Sequence, residues 1–236
     1  MMLNRVVLNR SQKQAGESPF WISFADLMTA LMALFLLVMA VTLISVTRDV
    51  SSAEERKIQR EKDIQELMAT IREKSRVFPE ITVDESSYRI DLGEKVRFDS
   101  NRSDISEGGS RFLRGYVPIL LKVQASELGR KWIRRIVVEG FTDQDGTYLL
   151  NLALSLQRSR SVVCVMFDPP LAGETSLSDG EKRQIEDLFL VGGYSFNSMK
   201  ASKEASRRVE LKVDFWALDE AKEPPPVIEN RAIGQC

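Results

Sequence analysis

Histidine is missing from all 236 residues, which removes imidazole-based triads, His metal ligands and imidazole proton shuttles together. Cysteine is scarce as well. Only Cys164 and Cys236 occur, at a separation that matches no zinc-site spacing. Two readings stay open: a bridge formed in an oxidising compartment, or a buried thiol at Cys164 with a loose terminal one at Cys236. There is no excess of one charge, since the formal net charge is -1. Lys and Arg are scattered, so nucleic acid is not an expected partner. The densest basic cluster, Arg130-Lys131-Trp132-Ile133-Arg134-Arg135, reads as a solvated face leading into a strand. No nucleophile is visibly paired with a base. The chain is therefore expected not to be an enzyme and to carry no cofactor.

Charge is also missing from Trp21 to Val46, with one exception, Asp26. About 20 apolar residues rising ~1.5 Å each are enough to cross a bilayer, and this run is longer. It also exceeds the apolar region of a cleaved signal peptide. Arg5, Arg10 and Lys13 precede it against Glu17, a positive flank that predicts a cytoplasmic N-terminus. Phe20, Trp21 and Phe24 suit an interfacial aromatic belt. A charged Asp at the middle of an inserted helix costs roughly 2.5–3.5 kcal/mol, a cost that taking up a proton relieves. Asp26 is the candidate proton-relay residue, and protons are the expected coupling ion. Ala25, Thr29 and Ala33 recur every four positions, with Ala30 one such step after Asp26, so the helix offers small residues to a packing partner.

Five segments are expected: a cytoplasmic tail over 1–19, a transmembrane helix over 20–47, a charged helical linker or plug over 48–80, a folded domain over 81–217 and a C-terminal tail over 218–236. The linker carries a narrow apolar stripe of Ile58, Ile64, Leu67 and Ile71, suited to a short coil, a plug or a plain spacer. Beyond Pro79, strand-like alternation appears in Tyr88-Arg-Ile-Asp-Leu92 and Val96-Arg-Phe98. Helical spacing follows over 106–127, then a buried strand in Arg135-Ile-Val-Val-Glu-Gly140. A second helix is expected over 147–167, with Leu149, Leu152, Leu156, Val163 and Met166 on one stripe. A charged helix over 179–190 and the strand from Arg208 to Phe215 complete an α+β fold: helices on one side of a mixed sheet, an α/β sandwich. The run Pro224-Pro-Pro226 should be extended.

The middle strand ends in Gly140-Phe-Thr-Asp143-Gln-Asp-Gly146, and the next helix contains Asn151-Leu-Ala-Leu-Ser-Leu-Gln-Arg158-Ser159. At 100° per residue, Asn151, Leu154 and Arg158 fall opposite the leucine stripe and are expected to meet a ligand. With Arg207-Arg-Val-Glu210 further on, this pattern over about 86–215 resembles the OmpA-like peptidoglycan-binding domain. The chain departs from it in Phe141, where a His is usual, and Ser159, where an Ala is usual. The resemblance implies that Asp143, Asn151, Leu154 and Arg158 bind peptidoglycan, with Asp and Arg gripping the ammonium and carboxylate of diaminopimelate. A direct Asp143–Arg158 salt bridge is the alternative reading.

The string from Phe24 to Met39 around Asp26 resembles the signature of flagellar motor B subunits. The compact length, short spacer and Leu-rich continuation look more like B subunits of the Zorya anti-phage defence system. That resemblance implies a single-pass bacterial inner-membrane protein with a periplasmic C-terminal domain. Its implied partners are an A-type ring subunit, a second copy of itself as homodimer, and peptidoglycan. Asp26 would relay protons while the C-terminal domain grips the wall. A flagellar stator B subunit and a passive OmpA-like wall tether are the alternatives.

Overall fold

The computed structural model describes residues 20–170, 172–174, 176–220, 234 and 236. The expected tail over 1–19, with the basic residues on which the expected orientation rests, lies outside them, as does Pro224–Pro226. The chain divides into two compact units at Glu55/Arg56.

The first unit contains the N-terminal part of α1 (Phe20–Ser75). From residue 23 on, this helix is long and apolar enough to cross a membrane. Every described side chain from Trp21 to Val50 is exposed, including Leu27, Leu31, Leu34 and Leu37. An apolar surface of this extent suits a lipid solvent rather than water. Its threonine hydroxyls are spent inside the helix: Thr29 donates to the Asp26 carbonyl at 2.8 Å and Thr47 to the Leu43 carbonyl at 2.8 Å. Thr42 donates to the Val38 carbonyl in the same way. Internal satisfaction of this kind is what hydrocarbon demands.

The second unit begins at Arg56, some 25 residues before the expected domain start at 81. The stripe over 48–80 explains the difference. Ile64, Leu67 and Ile71, joined by Met68, are buried in the hydrophobic core of the unit, each contributing about 1.5–3 kcal/mol of burial. Polar contacts fasten the same stretch: Ser75 Oγ lies 2.9 Å from Tyr116 Oη, and Arg60 Nε donates to the Trp216 carbonyl at 2.9 Å.

Five strands form one mixed sheet: β1 (Thr82–Asp84), β2 (Arg89–Asp91), β3 (Ile133–Gly140), β4 (Phe189–Gly193) and β5 (Val209–Phe215), in the order β1-β2-β5-β3-β4. β3 and β4 run parallel; the other neighbours are antiparallel. Val209, Leu211, Val213 and Phe215 alternate onto the buried face, where Ile90, Ile136 and Val138 meet them. The opposite face is held by ions, with Arg89 bridging Glu139 and Glu210, and Arg135 pairing Asp214 at 2.7 Å.

The helices are α2 (Glu107–Gln124), α3 (Glu127–Trp132), α4 (Tyr148–Phe167), α5 (Asp179–Leu188) and the short α6 (Lys203–Ser206). α2 starts where Ser106 Oγ accepts the Gly109 amide, and α5 where Ser178 and Glu181 form a capping box. α2 buries Phe112, Leu113, Tyr116, Val117 and Leu120 on one face. Two expected elements differ. Val96 closes a 3-10 turn (Glu94–Val96) instead of opening a strand, and α5 ends at Leu188, after which the chain becomes β4.

Candidate functional site

α4 is oriented by small residues. Ser159 Oγ donates to the Gly192 carbonyl at 2.7 Å, and Ser155 Oγ accepts the Ser195 amide at 3.1 Å. A Cβ on Gly140 or Gly193 would collide with Ser155, Ser159 or Leu156, so glycines on the sheet and serines on the helix allow the two backbones to approach closely. Over the first half of α4 this inverts the expected helix face, whereas Met166 of the expected stripe is buried in the core and Val163 packs against it. Asn151, Ser155, Arg158 and Ser159 point inward, whereas Leu149 and Leu156 are exposed. Asn151 and Arg158 are therefore not on a free, ligand-facing surface, and Leu154 is half-buried.

Arg158 is fully buried. Its Nε donates to the Arg102 carbonyl at 2.9 Å, Nη1 to the Phe141 carbonyl at 2.9 Å and Nη2 to the Asp99 carbonyl at 3.0 Å. The guanidinium also lies 5.1 Å from the Phe98 ring centre. One side chain thus clamps the loop after β3 to the loop before α2. Burial, with help from the nearby Arg207 charge and against that of Asp143, pushes its pKa down to about 10, so it stays charged at neutral pH.

The ion-pair partner of Asp143 is Arg207, at 3.0 Å, in place of the direct Asp143–Arg158 bridge that the spacing allows. Asp143 Oδ1 also accepts the Asp145 amide at 3.1 Å. Burial works against ionisation of Asp143. The Arg207 hydrogen bond, the Asp145 amide and the charges of Arg207 and Arg158 outweigh it and hold the carboxyl below its ordinary value. Arg207 further donates to the Phe98 carbonyl at 3.0 Å and pairs with Glu204. Asn151 Nδ2 secures the same loop through the Asp145 carbonyl at 2.8 Å, and Lys203 pairs with Asp145 at 2.7 Å. Beside Asp143, the Thr142 hydroxyl is buried without a hydrogen-bond partner among the described residues. Arg207 was the member not singled out from sequence. Its signal was the Arg207-Arg-Val-Glu210 string.

Phe141 is buried, stacked on Tyr194 at 5.4 Å between ring centres, with the Arg208 guanidinium 4.1 Å from its own. An aromatic ring here braces the outer face of the sheet. Cys164 and Cys236 are joined as a disulfide, with their Cα atoms 5.8 Å apart. In the first unit, Asp26 is an exposed acid on an apolar helix surface.

A family model described as membrane MotB of the proton-channel complex MotA/MotB matches residues 8–48. Across its full length the chain is similar to Zorya protein ZorB of Escherichia coli O139:H28 (strain E24377A / ETEC), with 43% identity over 242 residues, covering 100% of this chain and 98% of that one. Among solved structures, a putative MotB like protein from Desulfovibrio vulgaris matches 67% of this chain and 96% of its own at 19% identity, with a TM-score of 0.42. The OmpA-like domain of FopA1 from Francisella tularensis subsp. tularensis SCHU S4 matches 58% of this chain and 82% of its own at 13% identity, with a TM-score of 0.34.

Proposed function

The chain belongs to the Zorya protein ZorB family, and from that premise we propose that it is the wall-anchored B subunit of a proton-driven inner-membrane complex with an anti-phage role. The reading is carried by the full-length similarity to ZorB, which takes in both an acid-bearing membrane helix and the Asp143 loop. In this reading α1 crosses the membrane once, with its N-terminus cytoplasmic and the α+β domain periplasmic. Two copies stand inside a ring of A-type subunits. Asp26 of each copy takes up and releases a proton, and each proton crossing 100 mV makes available about 2.3 kcal/mol, several times thermal energy. Torque on the ring needs a fixed reference, which the domain supplies by holding peptidoglycan.

At the wall site, Asp143 accepts the ammonium of a zwitterionic peptide residue such as diaminopimelate. Arg207, next to it and partly exposed, offers its guanidinium to the carboxylate. Arg158, Asn151 and Leu154 serve the site from behind: the first two hold the loops in shape, and the third belongs to the same helical wall.

Two substitutions test the two halves. Asp26→Asn should abolish proton uptake by vesicles holding this chain with its A-type partner, and abolish protection in a phage challenge, while the complex still assembles. Retained protection refutes the relay. Asp143→Ala should reduce co-sedimentation with purified peptidoglycan roughly tenfold, the scale of a lost charge-assisted pair. Undiminished pelleting refutes the grip.

A further inference from the structure

The ion-held face of the sheet carries polar groups in register. Thr82, Asp91, Glu210 and Glu139 stand side by side across β1, β2, β5 and β3, and Arg89 contacts both glutamates. The segment after β4 brings Ser198 and Lys200 to the same face. Together with the β1–β2 hairpin and the start of β5 they line a cleft of about 320 Å3, at the small end of the ~300–1,000 Å3 range of small-molecule sites.

Not one of the nine side chains lining the cleft is apolar, so a lipid chain gains nothing there. Charges balance in and behind it, with Asp84, Asp91, Glu139 and Glu210 set against Arg89, Arg97, Lys200 and Arg208. A free anion or cation therefore meets no net field of the sign it needs. What the cleft offers is hydrogen bonding. Among the described residues, Arg89 Nη2, Arg208 Nη2 and Asp91 Oδ2 hold no hydrogen bond, and Lys200 Nζ stands 3.5 Å from Glu210. Guanidinium and ammonium groups only donate and a carboxylate only accepts, whereas a hydroxyl does both. A neutral ligand with several hydroxyls, such as a sugar ring, satisfies both kinds of group at once. The donors are also set in advance. Arg208 is held by Glu210, the Ser198 carbonyl and the Phe141 ring 4.1 Å away, so little ordering is lost on binding. Phe141, where the OmpA-like pattern has a His, thereby fixes a donor of the cleft.

One stretch of chain joins this cleft to the wall site. Arg207 pairs with Asp143 while Arg208, next in sequence, lines the cleft. Between Ser198 and Arg207, Lys203 pairs with Asp145, and the Ser206 hydroxyl accepts the Lys200 amide at 3.0 Å. In the wall polymer the peptide likewise hangs from a sugar chain.

We infer that the cleft binds a neutral N-acetylated sugar of the glycan chain, alongside the peptide grip at Asp143. This rests on the wall binding of the proposed function and adds the sugar to its ligand.

The test uses the full-length chain in detergent with two soluble probes, a fluorescent N-acetylglucosamine tetramer and a free stem peptide containing diaminopimelate. Wild type should bind both. Thr82→Trp with Lys200→Ala, which fill the cleft and remove a donor, should weaken tetramer binding at least about tenfold, the scale of a lost hydrogen bond to a charged group, and leave the stem peptide within about twofold. Thr82 is exposed on an edge strand, so Thr82→Trp alone carries the test should the double variant melt early. Tetramer binding that is absent in wild type, or undiminished in the variants, overturns the inference, while stem-peptide binding leaves the grip standing. Loss of both probes in wild type removes the grip as well. Peptide-free glycan strands should displace the tetramer; displacement by sulfate or by lipopolysaccharide sugars instead marks a general anion site or another glycan, and overturns the inference.

Discussion

Asp63 shows how a single carboxylate fastens a helix to a domain. It is buried on α1 and accepts three hydrogen bonds, from Lys131 Nζ at 2.8 Å, Trp132 Nε1 at 2.7 Å and Gln59 Nε2 at 2.7 Å. The Lys131 bond foremost, then those from Trp132 and Gln59, outweigh burial and hold its pKa below the ordinary 3.8. A pKa lower folded than unfolded means stability that is complete above the unfolded value and lost as pH falls through the folded one. Asp63→Ala is expected to cost about 2–3 kcal/mol at pH 7, with the gap from wild type closing below about pH 4. Chemical denaturation of the detergent-solubilised chain, followed by tryptophan fluorescence at both pH values, measures it. Arg158 makes a companion case. Removing it buries an unpartnered Phe141 carbonyl and strands the partly covered carbonyls of Asp99 and Arg102, so Arg158→Ala should destabilise by about 3–5 kcal/mol, and any loss of wall binding should track unfolding. Asp143→Asn should instead lose pelleting while its melting temperature stays within a few degrees of wild type. The Arg158→Ala and Asp143→Asn melting curves decide between a brace and a contact.

At the scale of the element, α4 depends on the absence of side-chain bulk. Ser159→Leu would drive a branched side chain into the Gly192 carbonyl that Ser159 now binds. Overpacking of this kind costs about 1–3 kcal/mol, and the partly buried Gly192 carbonyl loses the Ser159 donor as well. A drop in melting temperature is expected for Ser159→Leu and none beyond a degree or two for Leu149→Gln on the exposed side. The same helix shows what hydropathy can and cannot convey. β3, β5 and α2 follow their apolar periods because their inward positions are apolar. α4 does so only in its second half, where Val162, Val165 and Met166 join the core; its first half faces inward with Asn151, Ser155, Arg158 and Ser159, which are buried by close approach and hydrogen bonding rather than by hydrophobicity. Periodicity alone therefore assigns the wrong side to the core over the first half of α4. β4 was obscured for a different reason: Leu188-Phe189-Leu190 continues the apolar spacing of α5 across the helix-to-strand change. For the site, loop and helix motifs pointed to Asp143 and Arg158, but not to the division of labour in which Arg207 takes the ion pair and Arg158 the backbone.

For the whole molecule, the Cys164–Cys236 bond closes a loop across a sequence separation of 72, for which loop entropy implies about 4 kcal/mol. Replacing both cysteines with serine should lower the melting temperature by roughly 10 °C, at ~2–4 °C per kcal/mol for a unit of this size. A reductant should reproduce the loss in wild type and leave the double variant unmoved; differential scanning fluorimetry with and without reductant reads both. The core has a similar dependence on remote chain. Ile64, Leu67, Met68 and Ile71 lie on the same helix that carries Asp26, yet they complete the interior of the α+β unit. A soluble version begun at residue 81, where Pro79 and the strand-like alternation invite a cut, would lack one wall and present raw hydrocarbon to water. One begun at Arg56 keeps its own lining, so the domain can be prepared without its membrane segment only if the cut is made inside a helix.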